Sequence, residues 1–385
     1  MNKEVVMDEV LYYPELVRLD ATWRCNLRCK HCQTGMFREP GSHYSDLSTE
    51  ELEELFKQLS RLGTKQVGFL GGEPLLRHDL VSLARTLHSL GIRPSITSNG
   101  WLINDRIAYV LTQEVPVDIA VSLDGPDHSR HDNIRGKGSF ERAVKALQRL
   151  VKYRGRSRTV LIGISAVIHR YCQSNVTGYL DLANELGVDY MVMAIVHPVG
   201  TAKQYWDELS IDQGQILPLT RTILKYFQSG EFSFSLRLNF LTPAMRDVLS
   251  GEGWSLGGIA PYYDRAGLYE CYVQCDGRVF PSQKISEMVP EALASAAHLG
   301  LDFSDNSIRK KSMQAIWFGP SFEAYRRLVL SKVHIANYQS CQRCPFSQSS
   351  CFPTAVPFLE GAPHAQDFCA YLYNSGLGPF RSKVA

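Results

Sequence analysis

The chain has 385 residues, 44% hydrophobic and 21% charged, with 41 Lys and Arg against 39 Asp and Glu for a formal charge of +2. That is the ordinary mix of a folded soluble protein, with room for two or three domains and a large buried core. A balance so near neutral gives no overall field for nucleic acid or an anionic membrane, and neither is expected as a partner.

The longest apolar stretches are strand-sized, far short of the ~20 residues that span a bilayer. The opening MNKEVVMDEV lacks the apolar core of a signal peptide. A cytoplasmic location is expected. In a reducing compartment the ten cysteines suggest metal or redox chemistry before disulfides.

In chain order, strands are expected at Leu16–Thr22, Gln66–Leu70, Arg93–Ser98, Val117–Ser122, Val160–Ile168 and Tyr190–Ile195. Helical periodicity occupies Thr49–Leu62, Asp79–Leu90, Asp105–Thr112, Phe140–Tyr153 and Val176–Leu186. Ser48 with Glu51 three residues on reads as a capping box at the start of the first helix. Such alternation predicts the α/β class, with a parallel sheet and helices outside. Six units suit a partial (βα)6 barrel better than a closed eight-stranded one, with the site at the C-terminal strand ends.

Beyond residue 205 the pattern changes. A helix over Ile211–Phe227 leads into irregular sequence, then a β-like stretch Leu268–Phe280 turning at Asp276–Gly277. The tail after Tyr338 is rich in Cys, Pro and Ser and cannot bury a core alone, so a metal is expected to hold it. The expected organisation is an extension over 1–15, a barrel core over 16–205, a helical linker over 206–260 and a cysteine-rich domain over 261–385.

Cys25-x3-Cys29-x2-Cys32 follows directly on the first strand. Three thiolates so close can wrap one cluster without long loop closure. Three ligands on a four-iron cluster leave one iron open, where electron-transfer clusters usually have four cysteines. A zinc knuckle short of one ligand is the alternative. Gly71-Gly72-Glu73-Pro74 ends the second strand. Its glycines let a ligand approach the backbone, and Glu73 is placed to accept hydrogen bonds from an amino group; alone, the tetrapeptide would read as a plain turn.

Together these motifs resemble the radical S-adenosylmethionine (SAM) superfamily over roughly residues 16–200. The resemblance implies a 4Fe–4S cluster on Cys25, Cys29 and Cys32 whose open iron chelates SAM, with Glu73 receiving the SAM amino group. It places His31, at a position often aromatic, near the adenine. Thr97-Ser98-Asn99-Gly100 and Ser122-Leu123-Asp124-Gly125 look like the family's segments around the ribose and the methionine carboxylate. Ser98, Asn99, Ser122 and Asp124 are thus candidate cofactor contacts beside Gly71, Gly72 and Pro74, with loop capping as the alternative. The implied reaction is reductive cleavage of SAM to a 5′-deoxyadenosyl radical that abstracts a hydrogen from substrate.

Cys341-x2-Cys344-x6-Cys351 with Cys369 supplies four thiolates. Alone they would suit structural zinc. In context they, and the run SLDGPDHSRHDNIRGKGSF from Ser122, resemble the SPASM/twitch subgroup of peptide-modifying enzymes, which bind auxiliary clusters. The fuller pattern has Gly-x4-Cys where Gly277 is followed by Ser282, a further cysteine where Ala355 stands, and an upstream cysteine replaced near Tyr262. One auxiliary iron–sulfur cluster, read as a 4Fe–4S cluster, is therefore expected. Cys172, after the fifth strand, is a candidate hydrogen donor or an ordinary loop cysteine. Cys271 and Cys275, about 13 Å apart on a strand, cannot form a disulfide there; they are buried small hydrophobes or remnants of cluster binding.

The leading functional expectation is modification of a ribosomally made peptide. Only 15 residues precede the first strand, leaving no room for a fused leader-recognition domain, so a separate recognition protein or the barrel itself would serve. The second is oxidation or decarboxylation of a small molecule such as a tetrapyrrole side chain. The third, an iron–sulfur electron carrier or sensor, needs neither Glu73 nor an open iron. A low-potential donor such as flavodoxin or ferredoxin is the expected partner of either enzyme.

Overall fold

A computed structural model describes residues 12–38, 45–157, 159–257, 259, 265–286, 297–335, 338–347, 351 and 367–383. Tyr262 and Ala355, two positions where the auxiliary-cluster pattern is broken, lie outside the described residues. The six expected strands form as β1 (Leu16–Thr22), β2 (Gln66–Gly71), β3 (Arg93–Ser98), β4 (Asp118–Ser122), β5 (Ile162–Ile168) and β6 (Tyr190–Ile195). All pair in parallel with consecutive neighbours.

The helices α1 (Thr49–Arg61), α2 (Leu80–Ser89), α3 (Asp105–Tyr109), α4 (His128–Arg135), α5 (Ser139–Arg154) and α6 (Val176–Glu185) connect them. The packing follows from the strand period of two. Val17, Leu19 and Ala21 on β1 are fully buried in the main core, together with Leu52, Leu55, Phe56 and Leu59 of α1, while Arg18 lines a central cavity. The capping box forms: Glu51 N–H donates to Ser48 Oγ at 3.2 Å, and Ser48 N–H donates to Glu51 Oε2 at 2.8 Å. Such a cap contributes about 1 kcal/mol.

The sheet extends past the six units. After α7 (Trp206–Leu209) and α8 (Gln213–Ser229) comes β7 (Ser235–Leu238), parallel to β6 with Tyr190 opposite Ser235. Then follows α9 (Pro243–Gly251). The stretch read from sequence as a linker therefore adds a seventh parallel strand; its four residues are too few to show a period. At the other edge β8 (Glu270–Val273) lies parallel to β1, with Cys271 opposite Val17, and β9 (Val279–Phe280) returns antiparallel. The order β7-β6-β5-β4-β3-β2-β1-β8-β9 is an open, partial barrel. Cys271 and Cys275 are free and fully buried, the setting of small hydrophobes, and burial pushes both thiols up. Among the described residues no helix is long and apolar enough to cross a membrane.

Candidate active site

The C-terminal strand ends surround a cavity of about 400 Å³. Cys25, Cys29 and Cys32 line it, as do His31, Gly71, Gly72, Asn99 and Ser122. Backbone contacts hold the cysteine loop against the Gly-Gly-Glu turn. Gly72 N–H donates to Thr22 O at 2.7 Å, and Glu73 N–H donates to Arg24 O at 2.9 Å. A Cβ on Gly72 would lie 2.1 Å from Arg24 O, so this glycine is required by the chain's own close approach. From the other side Thr201 Oγ1 donates to the Cys29 and Cys32 carbonyls at 3.1 and 3.0 Å. Lys30 N–H donates to Ile134 O, fastening the loop to α4.

Glu73 is fully buried. Its carboxylate accepts from Ser98 Oγ at 2.9 Å, Asn99 N–H at 2.8 Å and Leu75 N–H at 3.2 Å. Burial raises its pKa while those three donors oppose the shift. Neither Ser98 nor Glu73 lines the cavity, and Pro74 is buried as the first residue of a short 3-10 turn. Asn99 faces the thiols: its Nδ2 donates to Asn26 Oδ1 at 2.8 Å and lies 3.9 Å from Cys25 Sγ.

Asp124 has no exposed surface and does not line the cavity. It holds the next layer, pairing with Arg135, standing 3.0 Å from His31 Nε2 and accepting from Val167 N–H at 2.9 Å. Burial favours its neutral form, but Arg135 and then His31 hold it well below the usual carboxylate range. Arg135 Nη1 in turn lies 3.9 Å from Cys29 Sγ. Burial pushes the Cys29 thiol up to about 12, and the guanidinium pulls the other way. Arg135 lines the cavity and was missed from sequence. Its helix is nearly all polar, so no apolar stripe shows; the available signals were the Asp127 cap, which accepts from Arg130 N–H, and the closing Gly136.

The structure does not bring Cys172 to the cavity. It is 1% exposed, its thiol accepts from His169 N–H at 3.2 Å and donates to His169 O, and burial pushes it up to about 12. That is the setting of a loop-closing cysteine.

The four distal cysteines converge elsewhere. Cys341 and Cys344 from one turn, with Cys351 and Cys369 from further along the tail, line one small cavity with Ile335, Phe346 and Phe380. Lys332, at the preceding helix end, donates from its Nζ to Ser347 O at 2.8 Å, between the second and third cysteines in the chain. Among the described residues no three His, Cys, Asp or Glu side chains stand close enough to hold a single metal ion.

Three thiols on one wall, with N–H donors from Leu27 at 3.4 Å and Arg135 at 3.9 Å to their sulfurs, form a donor set suited to a cluster with an open iron. Residues 21–168 match the radical SAM superfamily. They form a radical SAM domain. Mycofactocin maturase MftC of Mycobacterium ulcerans is 31% identical over 199 residues, 51% of this chain and 51% of that protein. The chain thus spans about half the length of that curated relative. The AdoMet-dependent heme synthase of Methanosarcina barkeri is 24% identical over 376 residues, 93% of this chain and 97% of its own. Among solved structures, Streptococcus suis SuiB bound to precursor peptide SuiA superposes with a TM-score of 0.69 at 17% identity, covering 93% of this chain and 76% of SuiB. At that identity the likeness concerns the fold.

Proposed function

We propose that this protein is a radical SAM enzyme that modifies a ribosomally made peptide. The carrying observation is the three thiols of Cys25, Cys29 and Cys32 on one cavity that Gly71 and Gly72 also line, with the buried Glu73 next to them in the chain. A 4Fe–4S cluster on those thiols, with SAM at its open iron, would supply a 5′-deoxyadenosyl radical. The chain's own work is to hold, orient and shield. Glu73, fixed by three donors, has lone pairs left for an ammonium group. Asn99 and Ser122 present polar groups to the cavity. The buried Asp124–Arg135 pair fixes His31 and sets a positive charge beside Cys29. A peptide substrate is supported by the relation to a mycofactocin maturase and by the fold shared with SuiB.

The four thiols around the distal cavity support one auxiliary cluster, with zinc as the alternative occupant. A second reading, work on a small molecule such as a tetrapyrrole side chain, is favoured by the end-to-end match to a heme synthase. The reconstituted protein, assayed anaerobically with a low-potential donor such as flavodoxin, is expected to release 5′-deoxyadenosine. Cys25→Ala, Cys29→Ala and Cys32→Ala should each abolish that release; undiminished product from any of them refutes the proposal. Mass spectrometry with candidate peptides and tetrapyrroles then separates the two substrate readings.

A further inference from the structure

Away from the thiols, the cavity wall carries polar groups that the cofactor reading leaves unused. His197 follows β6, Asn239 follows β7, and Gln283 and Lys284 sit on the one-turn helix α10 (Gln283–Ser286) after β9. Three points far apart in sequence thus converge on one lining. Among the described residues none of these four side chains makes a hydrogen bond or ion pair within the protein. The other two cations on the wall are matched: Arg18 pairs with Glu270, and Arg135 with Asp124. Among the described residues no Asp or Glu lines the cavity at all. The His197 ring is exposed at the cavity and stands near Lys284, whose charge opposes its protonation.

An unmatched ammonium in a partly enclosed wall attracts an anion more strongly than one in open water. Amide and imidazole N–H groups beside it suit the two oxygens of a carboxylate. We propose that Lys284, with His197, Asn239 and Gln283, is a substrate-anchoring subsite that takes a carboxylate, distinct from the residues that hold the cluster and SAM. This rests on the radical SAM reading for the location of the substrate. The carboxylate could belong to a peptide terminus or to a small-molecule side chain; both present the same group.

The test uses the full chain, reconstituted, with the cluster oxidised and SAM present so that nothing is consumed. Acetyl-tetraglycine as free acid against its amide probes a peptide carboxylate, and deuteroporphyrin against its dimethyl ester probes a tetrapyrrole propionate. At least one acid should bind about tenfold or more tightly than its neutral partner, and which one does so assigns the source. Lys284→Gln should shrink that preference to about twofold or less, and Lys284→Arg should keep most of it. The SAM affinity of Lys284→Gln, within about twofold of the parent, serves as the folding check; if that variant fails it, His197→Phe is expected to weaken acid binding in its place. Equal binding of acid and neutral forms, no measurable binding of either acid by protein that binds SAM, or a preference unmoved by Lys284→Gln overturns the subsite. Failure to bind or cleave SAM would instead refute the radical SAM reading, and probe binding is measured independently of cleavage.

Discussion

Glu73 is held by the chain through three hydrogen bonds, and its proposed role toward SAM rests on that fixed orientation. Its carboxylate satisfies the Asn99 and Leu75 N–H groups and the Ser98 hydroxyl, which hold it in one orientation. Glu73→Gln keeps the shape but turns one acceptor oxygen into a donor facing donors. The expected outcome is weaker SAM binding by roughly ten- to a hundredfold, from loss of a charge-assisted bond worth ~1.5–3 kcal/mol. A destabilisation of about 1–3 kcal/mol should accompany it, for the N–H left unmatched. Equilibrium SAM titration and urea unfolding measure the two effects separately. Unchanged SAM affinity would assign Glu73 to the fold alone.

At the scale of elements, the cysteine loop is a strap held from both sides. The Gly-Gly-Glu turn takes it on one side and Thr201, after β6, on the other. Gly72→Ala should therefore fail to hold iron, since a Cβ 2.1 Å from a backbone oxygen forces the two loops apart. Gly136, at the end of α4, has a positive φ of +104°, but a Cβ there meets nothing within 4 Å. Gly136→Ala should cost roughly 1–3 kcal/mol for the backbone alone and keep its iron. Iron content and urea midpoint of the two variants check this; retention of full iron by Gly72→Ala would contradict the strap.

For the whole molecule, two properties follow from what is buried. If both cysteine sets hold four-iron clusters, the reconstituted chain should carry about eight irons, and Cys344→Ala about four. Stoichiometric zinc with about four irons in anaerobically purified protein would instead favour zinc at the distal site. The second property is acid sensitivity. Burial holds His131 and His169 neutral down to about 4, whereas in the unfolded chain they protonate below about 6.5. Between those values the unfolded chain binds more protons, so stability falls as pH falls. Burial raises Asp20 to about 7, against its hydrogen bonds from Tyr272 and Trp23, and this works the opposite way over the same window. The two histidines outnumber the one raised aspartate, leaving a slope of their sign that Glu73, also raised by burial, reduces. The urea midpoint should drop from pH 7 to pH 5, and Asp20→Asn, by removing the offset, should steepen the drop. An unchanged or rising midpoint in acid would contradict this assignment.

The sequence by itself determined the local pieces. The six strands and the first helix with its Ser48 cap are set by side-chain period and by neighbours within four residues, and the structure has them within about two residues of their expected bounds. The cysteine triad and the Gly71–Glu73 turn were legible for a similar reason: each is a contiguous motif whose chemistry depends on its own spacing. Only the tertiary structure decided what depends on distant chain segments meeting. It made β7 a strand by giving four residues a partner in β6, and it added β8 to the barrel through β1. It moved Asp124 from an expected cofactor contact to a buried partner of Arg135 and His31, because a charged residue at a strand end faces cavity or core according to what packs above it. It closed Cys172 into its own loop, and it gathered Cys341, Cys344, Cys351 and Cys369 around one cavity. The polar wall of His197, Asn239, Gln283 and Lys284 has no sequence signature, since its members are brought together by the ends of β6, β7 and the β8–β9 hairpin, and spacing along the chain carries no trace of that meeting.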